Sequence, residues 1–211
     1  MLNLNINPII GDPNTYMTIQ FQQTRDTLMD TELYSHFIYS AENQFRRSRF
    51  YKDYKCNVMN KGLNFDQLMR GVNSEMTDIE LHHLMPTLNM AAIMICEHRL
   101  NTIGQVTTMD IIEDLEEAHR MNMLSVVMLS ETNHQALHAD PSSFISLSQA
   151  YGNSYLFLEK YRDGLTLDIA FKWLLQLKFE EQYGGKTTWL NCPRQREILL
   201  DWQEHAGPIN Y

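Results

Sequence analysis

The chain has 211 residues, 44% of them hydrophobic, which suits one domain, or one domain with a modest appendage, and excludes a disordered chain. Its net charge of −9 argues against broad electrostatic adhesion to nucleic acid, because phosphate binding depends on positive charge and counterion release. Cys56, Cys96 and Cys192 are too few and too scattered for a disulfide framework, and no apolar run approaches the roughly 20 residues of a membrane span, so the sequence reads as cytoplasmic with no membrane partner.

Residues 1–16 contain Pro8, Gly11, Pro13 and several Asn, and predict an irregular arm reaching to residue 29. From Asp30 a helical pattern places Leu33, Phe37, Ile38, Ala41 and Phe45 on one face, and it runs out into the most basic stretch of the chain, residues 46–55. Residues 56–76 are mixed. Asp78-Ile79-Glu80-Leu81-His82 alternates and predicts a short strand. Pro86 and Thr87 start a helix over 88–100 that is apolar on most sides and therefore buried. Thr107 or Thr108 caps the next helix, with Ile111, Ile112, Leu115 and Ala118 inward and an acidic face from Asp110 to Glu117 outward. Leu124–Leu129 predicts a second strand, and Ser130 caps a short helix stopped by Pro141. Helices over 155–161 and 167–181 follow, then Gly184-Gly185 and a helical patch near 196–203. The expected organisation is an arm (1–29), a domain (30–183) and a tail with a short helix (184–211).

Four of the eight histidines fall into two tight groups. His82 and His83 close the first strand. His134 and His138, four apart on a helix, point the same way and form a common metal clip. A third imidazole from a neighbouring strand would complete three protein ligands and leave positions open for water or substrate.

The segments Glu80-Leu81-His82-His83, with Pro86 shortly after, and Leu129-Ser130-Glu131-Thr132-Asn133-His134-Gln135-Ala136-Leu137-His138 resemble the HNH nucleases. The likeness is local for colicin DNases and wider, over roughly 48–165, for HNH proteins encoded by bacterial viruses. It takes in His119 and Asn122, a basic Ser48–Tyr54 and Tyr151-Gly152-Asn153. The resemblance implies a mostly helical α+β domain around a small ββα-metal hairpin. It implies that His82, His134 and His138 hold one divalent metal (Zn, Ni, Mn or Mg), that His83 is the general base activating water, and that Glu80 orients a neighbouring group. The expected function is a phage endonuclease hydrolysing DNA in the host bacterial cytoplasm, which does not grip DNA widely by itself and either uses only the Arg46–Lys55 patch or relies on a protein partner to deliver substrate. The alternative is a catalytically degenerate HNH-fold protein with a structural metal, serving as a binding module in a phage nucleic-acid machine.

The chain departs from the family in places. Ser125 stands where the middle Asn falls by spacing, Met76 and Thr77 stand where colicin DNases carry a phosphate-binding Arg, and about forty residues, read as two helices, separate the two halves of the motif. His119 reads either as support for the site or as a satisfied helix-end histidine. Arg46, Arg47, Arg49, Tyr51, Lys52 and Lys55 read either as a nucleic-acid face with stacking aromatics or as a solvated helix face whose aromatics turn inward. His36, His98 and His205 are taken as incidental.

Overall fold

The computed structural model describes residues 23–24, 28, 31–60, 79–139, 145–183 and 192–205. Most of them are helical, and two small two-stranded antiparallel sheets make the fold α+β. Helix α1 (Thr31–Arg47) buries Phe37, Ile38, Ala41 and Phe45 as its periodicity predicts, while Leu33 in its first turn stays exposed. The helix does not run on through the basic stretch. It stops at Arg47, and the hydroxyl of Ser48 accepts a hydrogen bond from Tyr51 N at 3.1 Å, capping a new helix, α2 (Arg49–Asn60).

Helix α3 (Leu88–Thr102) is the centre of the core. It is apolar on most sides through Cys96, is capped by Thr87, and is packed against by α1 on one side and α4 (Thr108–Arg120) on another. A capping box between Thr107 and Asp110 starts α4. Arg99 of α3 ties the two helices together: its Nε and Nη2 donate to the two Asp114 oxygens at 2.7 and 3.0 Å, and its Nη1 donates to Asp110 at 3.1 Å. Only a fifth of the Arg99 side chain is exposed. Arg99→Met should therefore cost about 1–3 kcal/mol in urea unfolding, because Asp114 loses a bidentate partner and Asp110 a single hydrogen bond; Arg99→Lys should recover only part of it. A Met variant as stable as the parent would refute this.

Strand β1 (Gln23–Thr24) pairs with β3 (Gln105–Val106). Strand β2 (Ile79–His83) pairs antiparallel with β4 (Val126–Ser130), with His82 opposite Val127 and His83 opposite Val126. The forty residues between the two strands are largely the packed helices α3 and α4, as the sequence predicts. Helix α5 (Glu131–Ala139) leaves β4 without a loop and lies against both strands; Ser130 Oγ accepts from Asn133 N at 3.2 Å, the predicted cap.

Helices α6 (Ser154–Lys160), α7 (Leu167–Tyr183) and α8 (Cys192–His205) complete the described chain. The tail helix is longer than its sequence patch and is joined to the body. Ile198 and Leu199 are buried, and Trp173 Nε1 of α7 donates to the buried Gln195 Oε1 at 2.8 Å. The arm over 1–22 and Gly184-Gly185 lie outside the described residues. No described helix is long and apolar enough to cross a membrane.

Candidate metal site

Successive side chains of a strand point to opposite faces, and β2 applies that rule to its two histidines. Glu80 and His82 share the face covered by α5. Leu81 and His83 share the face turned to the core, both buried. From α5, His134 reaches the first face. Its ring lies edge-on to His82 with centroids 4.9 Å apart, and its Nδ1 is hydrogen-bonded to the Glu80 carboxylate. About a quarter of the His134 side chain and two-fifths of the Glu80 side chain are exposed, so this face is open to solvent.

Glu80 and His134 together have the form that metal sites use. A carboxylate accepting from Nδ1–H leaves the ring's lone pair on Nε2, the ligating form of neutral imidazole. His82 offers a second imidazole beside it. His138 lies one turn further along α5, and its side chain is outside the described residues. Among the described residues no group of three or more His, Cys, Asp or Glu is arranged to hold a metal. Two imidazoles, His82 and His134, are the donor type that borderline divalent ions take, and a third ligand would have to come from elsewhere.

His83 is not brought to this face. It is 4% exposed, and its Nε2 lies 2.9 Å from Nε2 of His119, which is fully buried on α4. His119 Nδ1 donates to the Leu115 carbonyl at 2.6 Å, so its Nε2 is the acceptor and His83 Nε2–H the donor. Phe45, Tyr51 and Tyr54 pack around the pair: Tyr51 stacks on His83, and Tyr54 meets His119 edge-on. Burial, with the neighbouring His119 second, holds His83 well below the usual histidine range. Burial pushes His119 down to about 4 against a smaller opposing effect of the Leu115 carbonyl. The two rings are thus a neutral hydrogen-bonded pair inside the core, on the far side of β2 from His82 and His134. A general base working at the metal face is not where the structure places His83, and His119 is a satisfied buried histidine rather than a support of that face.

The basic stretch divides in the same way. Arg46, Arg47, Arg49 and Lys52 are exposed and Lys55 half-buried, but Arg46 pairs with Glu42 at 2.8 Å and Arg49 with Asp53 at 3.6 Å. Tyr51 and Tyr54 are buried, and burial raises both phenol pKa values. The expected stacking surface is thereby corrected: Tyr51 belongs to the His83–His119 cage, and the cationic face carries no Tyr51 for a base to stack on. The carbonyl of Ser125 accepts from Leu84 N at 2.9 Å just past β2.

The profile of a family described as bacteriophage G278-like virion proteins matches residues 9–185, which takes in both strands, α5 and the His83–His119 pair. The chain belongs to that family. No curated protein and no solved structure matches it. Family membership ties the chain to bacteriophages.

Sequence reasoning missed the histidine pair, although the signals for it were present. A strand through Ile79–His83 necessarily separates His82 from His83. His119, four residues after Leu115, also extends the inward stripe of α4.

Proposed function

We propose that this protein is a non-catalytic component of a phage particle, in which a ββα unit of HNH type retains a divalent metal as a structural fastener. The observation carrying the reading is the alternation on β2, which sends His82 to the face shared with Glu80 and His134, and His83, the expected base, into a neutral buried pair with His119. A metal on His82, His134 and His138 would fasten α5 to β2 from outside the core, and Glu80 would hold the His134 ring in its ligating orientation. The −9 charge and the ion-paired arginines of α1 and α2 further disfavour a chain that grips DNA by itself. Membership of a family of virion proteins supports a structural role.

The open, Glu80-oriented His82–His134 face keeps a second reading in play, a metal-dependent DNA endonuclease with His83 reaching the site after rearrangement. One set of measurements separates the two. After dialysis against chelator and reloading, zinc at about 100 times its dissociation constant should add about 2.7 kcal/mol, a rise in Tm of roughly 5–10 °C. His82→Ala and His134→Ala should each abolish that rise; His83→Ala should lower stability yet keep it. Supercoiled plasmid should remain intact with magnesium, manganese, nickel or zinc. Metal-dependent nicking that disappears in both His134→Ala and His83→Ala would restore the endonuclease, and a parent chain that gains no stability from any of the four metals would remove the metal site.

A further inference from the structure

Helix α7 has two apolar faces. Ile169, Ala170, Trp173 and Leu177 are buried against the body. On the opposite side Leu167, Phe171, Leu175 and Phe179 recur every fourth residue and are 43, 59, 39 and 42% exposed. At 100° per residue these four occupy an arc of about 120° centred opposite the buried set. Together they expose roughly 350–400 Å² of apolar surface, the size of patch that marks an interaction site rather than scattered exposure.

The order of residues along this face points to its occupant. In an antiparallel pair of α7 helices related by a two-fold axis at the level of Trp173, Phe171 of one copy faces Leu175 of the other, and Leu167 faces Phe179. Every contact then sets a large ring against a smaller aliphatic side chain, as interdigitating helices require. The same rotation brings Asp168 of one copy to the level of Lys178 of the other, at both ends of the interface. A parallel pairing would instead set Asp168 on Asp168 and Phe171 on Phe171. The exposed charges beside the stripe, Asp168, Lys172, Lys178 and Glu181, sum to zero, so this face escapes the repulsion that a net charge of −9 imposes on two copies elsewhere. Two stripes supply about 700–800 Å² of apolar burial, and at the roughly 65% apolar share of a homodimer interface that corresponds to about 1,100–1,200 Å² in total, the lower edge of stable association.

We infer that α7 is a self-association surface through which two copies of this chain pair antiparallel across Leu167, Phe171, Leu175 and Phe179. The inference is independent of the metal reading, because α7 carries none of the proposed ligands. Sedimentation equilibrium of the full chain over a wide concentration range should show a reversible monomer–dimer equilibrium. Phe171→Glu should weaken it by at least about a hundredfold, because each dimer would bury two unpaired carboxylates. Circular dichroism should be unchanged, since Phe171 lies outside the core. A second measurement holds even if Phe171→Glu fails to fold. In a Cys56→Ser background, a Phe171→Cys chain mixed with a Leu175→Cys chain should form a disulfide-linked dimer well above the level of either chain alone. A parent chain that stays monomeric at every concentration, a folded Phe171→Glu chain that still pairs, or mixed cysteine chains that crosslink no better than the separate ones would each overturn the proposal.

Discussion

Acidification from pH 6.5 to 4 should destabilise this protein by about 3 kcal/mol through His119 alone. The folded pKa is lowered to about 4, whereas the unfolded chain titrates near 6.5. Above the unfolded value both states are neutral and the contribution of the buried ring is fully present. Below it the unfolded chain takes up a proton that the folded chain refuses, so stability falls by about 1.4 kcal/mol per pH unit until the folded pKa is reached. His83, lowered in the same direction by burial and by its neighbour, steepens the loss.

The Leu115 carbonyl gives the imidazolium a smaller compensation than burial takes away. Phe45 comes from α1, Tyr51 and Tyr54 from α2, and Leu115 from α4, while the nearby charge of Arg46 adds to the penalty on His83. Neither phenol ionises in this range, because burial has pushed both upward. Acidification acts on the whole protein, so the informative quantity is a difference. Urea unfolding of the parent and of His119→Gln from pH 7.5 to 4.5 should give curves that converge as pH falls, the parent losing its advantage. Parallel curves would mean that the pair is hydrated or already charged, and the buried-pair description would fail.

Much of the fold is legible in the sequence because it is written in local terms. The apolar girth of α3, the capping box at Thr107 and Asp110, and the Ser130 cap that sends β4 directly into α5 are each properties of fewer than twenty neighbouring residues. The pairing of His82 with His134 could likewise be read from two spacings and a strand end. What escaped is what depends on orientation across elements. Treating His82-His83 as a unit follows the motif, whereas a regular strand assigns the two rings to opposite sides of a sheet. Tyr51 looks like part of a basic, aromatic surface if one helix runs on through the stretch; a new helix starts after Ser48, and in it Tyr51 and Tyr54 face inward while Arg49, Lys52 and Asp53 face out. The exposed stripe of α7 is hidden in the sequence for a related reason. A helix apolar on two opposite faces has almost no amphipathic signature, and nothing in its composition says which face the body covers.

Gly152→Ala should be a severely damaging single-methyl change, costing on the order of 3–5 kcal/mol. Gly152 has φ +103, and a Cβ there would lie 2.0 Å from the Leu124 carbonyl oxygen and 3.2 Å from that of Asn122. Both obstacles are backbone, and neither can swing away. The segment is held against them from both sides: Tyr151 exchanges two 2.8 Å hydrogen bonds with Val126, and Asn153 N donates to the Asn122 carbonyl at 2.8 Å. Relief of the clash would have to break that bridge at the first residue of β4, the residue paired with His83. Gly104 provides the control. It has a similar φ of +83, but nothing lies within 4 Å of its added Cβ, so Gly104→Ala should carry the conformational strain alone, about 1–2 kcal/mol. Thermal unfolding of the two variants should therefore differ by about 5–10 °C. Equal losses would show that the 151–153 segment can lift from β4 at little cost. The strand that presents α5 and His134 would then be held by its pairing with β2 alone, and a metal joining His134 to His82 would matter correspondingly more to the stability of the whole.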